Sequence, residues 1–263
     1  MSVRVLVGLQ WRRHRAALVP MAAAVGLFQF LLTRFAPTGQ ESWISRALET
    51  IPESLLALAG SDISARLTPA RFLAVGYGHP FFLLLLGAWV VRASSGALAG
   101  EVGMGTIDLT ASRAVPRWHF VTAGALTLAG GLLLMVLAAW GGTAAGSGLR
   151  KLDVAAAFVP VAISAGLLFA AWAGVGLAVS AVRRDGGSAI AWTTGLIAVS
   201  FVLEYIARLW EPVKGLRWLS LFRWYEPQVV VTGGMVWRDV AVCAGVAVVS
   251  TVAATLAFQR RDL

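Results

Sequence analysis

Charge is scarce in this sequence. Asp, Glu, Lys and Arg make up 13% of the 263 residues, and hydrophobic residues make up 58%; an ordinary soluble domain has about 25% charged residues. Mean hydropathy is +0.76. A chain this poor in charge cannot cover a folded surface with polar groups, which excludes a water-soluble globule and predicts a lipid environment. Lysine is nearly absent as well: of 22 basic residues only Lys151 and Lys214 are lysines. Neither lies in a G-x-x-x-x-G-K-[ST] phosphate loop, so the chain has no such site for binding and hydrolysing ATP. The formal net charge of +9 is therefore carried by arginines. They cluster at the ends of apolar runs rather than along one face, a pattern of membrane anchoring and not of nucleic-acid binding.

The reactive residue types are equally thin. The single cysteine, Cys243, excludes a disulfide framework and a cysteine zinc site. His14, His79 and His119 are far apart, and none has a metal-ligand partner one helical turn away, so no metal is expected. Span centres lack the carboxylates that a proton-coupled carrier uses. No span presents paired carboxylates, a histidine-rich metal set or a Ser-His pair, so an intramembrane enzyme is disfavoured and no catalytic residue is assigned. A secondary carrier acting without an ATPase stays as the alternative, although the two halves show no evident repeat.

What the sequence has in abundance is long apolar runs. Crossing ~30 Å of hydrocarbon takes roughly 20 apolar residues in a helix, and six runs qualify, at 16–35, 80–98, 118–142, 154–182, 188–207 and 240–258. The expected fold is an all-α integral membrane protein, a single transmembrane domain over 1–263. The fourth run is long enough to predict tilt or a break near Gly174 and Gly176. Before the first run, Val3, Leu6, Val7 and Trp11 share one side of a helical wheel, with Arg4, Arg12 and Arg15 opposite, which predicts a separate interfacial helix. The run after it has no clear small-residue cleavage site and is read as a retained span. Six spans put both termini on one side, and arginine density beside the spans places that side in the cytoplasm of a cell inner (plasma) membrane.

Two connecting segments are too long for turns. In 37–79, Trp43, Ile44, Ala47, Leu48 and Ile51 recur at helical spacing and predict an interfacial helical cap, with Pro52 opening a second short helix. In 208–239, aromatic residues mix with Arg208, Lys214, Arg217 and Arg223, which predicts an outer-leaflet hairpin of short helices broken at Pro212, Gly215 and Pro227. Two charged positions near spans stand out. Arg92 is close enough to the inner end of its span to snorkel, or else lines a polar path. Glu204 and Arg208 are one turn apart and can pair.

The segment after the second span runs Gly100-Glu101-Val102-Gly103-Met104-Gly105-Thr106-Ile107-Asp108-Leu109-Thr110-Ala111-Ser112-Arg113-Ala114-Val115-Pro116-Arg117. It resembles the first cytoplasmic loop of the membrane subunits of type-2 ABC exporters, in which a glutamate, a Gly-Thr pair and a Ser-Arg-Pro-x-x-Arg stretch recur in that order. Glu101, Gly105, Thr106, Ser112, Arg113 and Arg117 stand at matching positions. Val102 and Met104 replace further glutamates, and the proline has moved from 114 to 116. Leu219-Ser220-Leu221-Phe222-Arg223-Trp224-Tyr225-Glu226-Pro227 is similar to the aromatic hairpin before that family's last span, and Phe258-Gln259-Arg260-Arg261-Asp262-Leu263 to its C-terminus.

The resemblance implies a permease subunit that forms a homodimer or heterodimer and exports amphipathic or hydrophobic small molecules. A separate cytoplasmic ABC ATPase, which binds the ATP, would drive it. It further implies that Glu101, Gly105, Thr106, Asp108, Arg113 and Arg117 meet that ATPase, with Asp108 in the first turn of a short helix, and that Trp218, Phe222, Trp224 and Tyr225 form an outer gate.

Overall fold

A computed structural model describes residues 2–37, 68–103 and 116–261. The expected 37–79 cap falls mostly, and residues 104–115 of the predicted ATPase-facing loop fall wholly, outside the described residues. Among the described residues all regular structure is helical: α1 Val3–Phe35, α2 Pro69–Gly78, α3 Pro80–Ala97, α4 Ala99–Gly103, α5 Trp118–Leu149, α6 Phe158–Val182, α7 Gly186–Leu209, α8 Pro227–Gly233 and α9 Trp237–Gln259, with short 3-10 segments at Ala155–Ala157, Glu211–Leu219 and Leu221–Trp224. Six of these helices, α1, α3, α5, α6, α7 and α9, are long and apolar enough to cross a membrane. Each coincides with one predicted span.

The first helix departs from expectation. The amphipathic N-terminal stretch and the first span are one unbroken helix of 33 residues, about 50 Å long. Leu6, Gln10, His14, Leu18, Ala22, Val25, Gln29 and Thr33 are buried at spacings of three and four, so one stripe faces the bundle from end to end. No glycine pair or cap interrupts it, and Pro20 sits inside without ending the helix, as prolines in apolar spans often do.

α5 also outruns its predicted end and reaches Leu149. The reason is its packing on α1. A Cβ at Gly142 would stand 2.0 Å from the Gly26 carbonyl oxygen, and one at Gly146 would stand 2.0 Å from Thr33 Oγ1. With Ala138, these residues form a small-residue ridge at four-residue spacing that lets two backbones approach closely. Of the tilt or break predicted for the fourth span, the break is absent, and α6 is continuous through both glycines. They serve close approach instead. A Cβ on Gly174 would lie 2.7 Å from the Ala247 carbonyl oxygen of α9, and one on Gly176 would lie 2.4 Å from Ser94 Oγ of α3.

The helix ends sort into two groups. At one end, here the near end, Arg13 of α1 pairs with Glu101 of α4, and Gly103 lies against Asp185, the N-cap of α7. At the same end Arg117 donates to the carbonyls of Gln259, at 3.0 Å, and Arg261, while Arg261 donates to the Ala181 carbonyl of α6 at 3.1 Å. The first turns of α1 and the finish of α9 therefore share one end. At the far end Arg150 donates to the carbonyls of Thr33, Arg34 and Ala36 and closes the C-terminus of α1. Between the two ends lies an aromatic core of Trp89, Tyr77, Phe82, Phe158 and Phe169, all fully buried.

Candidate functional site

α7 touches the bundle along a single stripe of Ala189, Thr193, Ser200, Glu204 and Ala207. The rest of it is open. Between α7 and α3 runs a slot of about 770 Å3, within the ~300–1,000 Å3 of small-molecule sites. It extends from Gly96 to Pro80 along α3, or about 24 Å of helix. Leu84, Val91, Ile190, Ile197 and Val202 line its length, and Arg13, His14 and Arg92 gather at its near end. His14 is held edge-on against Trp89, with ring centroids 5.8 Å apart.

The far end of the slot stops at Phe201 and Phe222, and beyond those rings a second cavity of about 320 Å3 opens between α2, α7 and α8. The two rings meet edge to face at 5.4 Å. Phe222 reaches this position because the chain folds back after α7. Ser220 Oγ donates to the Ser200 carbonyl at 2.8 Å, and Leu221 N–H donates to Ser200 Oγ at 3.1 Å. Ser200 is nine residues before the end of α7, so the returning chain is clasped about 14 Å back along that helix. Pro212 and Pro227 open helical segments here rather than break them, and Gly215 lies inside a 3-10 segment. Proline at a first helical position loses no hydrogen bond, which explains the departure from the predicted breaks.

A four-charge network braces this fold-back. Glu204, buried, accepts from Arg208 Nε at 2.7 Å and from Arg217 Nη2 at 2.6 Å. Glu226 lies 3.9 Å from Arg208 and 3.7 Å from Arg217. Hydrogen bonding to Glu204 holds the Arg217 guanidinium above its ordinary pKa. The i,i+4 pair of Glu204 and Arg208 forms as the spacing predicts. Arg217, thirteen residues from Glu204, is the partner that helical spacing alone does not reveal. Tyr225 donates to the Tyr77 carbonyl at 2.9 Å and so ties the fold-back to α2. Burial pushes both phenols to higher pKa.

Of the four aromatics predicted as an outer gate, Phe222 and Tyr225 border the far cavity. Trp224 turns away, packing with Cys243, and Trp218 is exposed beneath the Arg223 guanidinium, 4.4 Å from its ring centre. Of the six residues predicted to meet an ATPase, Glu101 and Arg117 stand at the near end in the contacts given above, whereas Gly105, Thr106, Asp108 and Arg113 lie outside the described residues. Among the described residues no three metal-ligating side chains gather. The place of His14 in the slot has no local signal in the sequence. Arg92 had one, a charge inside an apolar run.

The chain matches no family model, no curated protein and no solved structure.

Proposed function

We propose that this chain is the permease subunit of an ATP-driven transporter of the type-2 ABC class, working as a dimer of permeases and exporting amphipathic or hydrophobic small molecules. The observation that carries this reading is how the 101–117 segment is anchored. Glu101 is tied to α1 through Arg13, and Arg117 is tied to the finish of α9 through two backbone carbonyls. A displacement of the segment would be felt by the first and last spans together with α3 and α5, which is the mechanical requirement of a coupling lever. An ATPase closing on ATP would supply that displacement, and the absence of a phosphate loop from the sequence fits such a division of labour. The slot then serves as the substrate path, and Phe201 and Phe222 close it toward the outside. The fold-back from 210 to 227 would sit in the outer leaflet, and both termini would be cytoplasmic.

Purified alone, the chain should hydrolyse no ATP, and hydrolysis should appear on adding its partner ABC ATPase. Gly105→Pro and Arg113→Glu should weaken co-purification of the two chains or uncouple hydrolysis from transport. Robust hydrolysis by the isolated chain, or normal coupled turnover in both variants, refutes the reading. Orientation has a separate test: a cysteine at Ser112 should label only from the cytoplasm, and one at Ser45 only from outside.

A further inference from the structure

The near end of the slot differs chemically from the rest of it. Arg13 is balanced by Glu101, but Arg92, exposed in the slot, has no ion pair among the described residues. Beside them His14 is 5% exposed, and its Nδ1 has no hydrogen-bond partner. A buried ring nitrogen without a partner is costly, and beside it Arg92 stands as an open cation against an apolar wall. From this point to Phe222 the walls are apolar, and Leu84, Ile190 and Val202 leave one side of the slot open. We infer that the slot takes a single-chain anionic amphiphile, its oxyanion head on Arg92, beside His14, at the near end and its apolar body along α3 and α7 toward Phe222.

The chemistry follows from the donors. A guanidinium offers a planar fork that matches a carboxylate, phosphate or sulfonate, and the Arg13 guanidinium and the His14 ring border it at the same end. The slot is wide enough for one drug-sized molecule, and its single charged end gives that molecule a direction. The inference deepens the permease reading by naming its substrate class, and the slot's role as a transport path rests on that reading. Binding does not, because it is measured on this chain without an ATPase.

The full chain would be placed in nanodiscs of zwitterionic phosphatidylcholine and titrated with a dansyl-labelled medium-chain carboxylate, its methyl ester and its primary-amine analogue. The carboxylate should bind at least ~10-fold more tightly than the ester, the size expected of a charge-assisted contact, and the amine should bind least. Arg92→Glu should invert the order of carboxylate and amine, Arg92→Lys should keep most of the preference, and Arg4→Gln should leave all three affinities unchanged. Equal affinity for the three probes, or an undiminished carboxylate preference in Arg92→Gln, overturns the inference. Unlabelled decanoate should displace the probe more effectively than added phosphatidylglycerol. The reverse result assigns the head subsite to bilayer lipid and overturns the single-chain amphiphile. A preserved probe preference with no ATPase coupling in any reconstitution leaves this subsite standing and removes the permease reading.

Discussion

Two helix pairs in this bundle are built from similar apolar sequence and come out opposite. α1 and α5 run alongside each other for most of their length and close through Gly26, Ala138, Gly142 and Gly146, where backbone meets backbone. α3 and α7 meet only along one stripe and leave a slot of about 770 Å3 beside it. In lipid there is no hydrophobic gain from bringing two apolar helices together, so association depends on how closely backbones can approach and on interhelical hydrogen bonds. Small residues at four-residue spacing weld the first pair. In the second pair larger side chains, Leu84 and Val91 facing Ile190 and Ile197, line the gap, and the clasp of Ser200 with Ser220 is spent on the returning chain. The contrast sets a closed seam against an open slot within one small protein.

The sharpest way to break the contrast is to place a valine in both. Gly142→Val puts a branched side chain where a Cβ alone meets the Gly26 carbonyl oxygen at 2.0 Å, and no flexible side chain is there to yield. Overpacking typically costs about 1–3 kcal/mol, and more where backbone must shift; this variant should fall at or beyond the upper figure and elute from size exclusion as a broader peak than the parent. Ala198→Val adds the two γ-methyl groups of the same side chain inside the open slot and should unfold within about 0.5 kcal/mol of the parent. Equal losses for the two would mean that the slot is as rigidly packed as the seam.

A smaller effect is expected at the far end. Glu204→Gln leaves Arg208 and Arg217 without their nearest carboxylate in a buried setting, which should cost roughly 3 kcal/mol and loosen the fold-back that carries Phe222. The exposed pair of Lys214 with Glu211 is the internal control: it is 2.9 Å long but open to solvent on both sides, and Glu211→Gln should leave the melting temperature unchanged. A Glu204 variant as stable as the Glu211 variant would show that the network is decoration rather than a brace.

The sequence carries the spans because hydropathy is a local property, summed over some twenty neighbours. Their ends are harder, because a helix stops where its packing partner stops. α5 continues past Gly142 only because α1 offers Gly26 and Thr33 to pack on, and the four-residue spacing of Ala138, Gly142 and Gly146 was the available sign. Gly174 and Gly176 looked like a weak point for the same reason in reverse: glycine is ambiguous between flexibility and close approach, and only the neighbouring helix decides. For the site, Arg92 and the aromatic run at 218–225 were visible as oddities of composition. That His14 joins Arg92, and that Arg217 joins Glu204, depends on pairings far apart in the chain, which no periodicity reports.

The smallest expected effect concerns the near end, where the frame is joined to the segment proposed to couple with an ATPase. Arg117 precedes the first turn of α5 and donates to the carbonyls of Gln259 and Arg261 at the finish of α9. A cation there complements the partial negative charge of a helix C-terminus, worth about 0.3–1 kcal/mol near solvent. Arg117→Ala should therefore cost about 1 kcal/mol in thermal or denaturant unfolding, well under the loss at Gly142. Arg117→Lys should recover part of that, since both bonds leave the one nitrogen Nη1, and an ammonium keeps the charge and the donors on a side chain of shorter reach. The two variants also separate bracing from coupling. If Arg117 transmits movement from the 101–117 segment to α9, ATP turnover stimulated by substrate should fall several-fold in Arg117→Ala at a temperature where both proteins are fully folded, and Arg117→Lys should lie between. Stability lost with coupling untouched would make Arg117 a brace for α9 alone and move the lever to the Arg13 and Glu101 side of the segment.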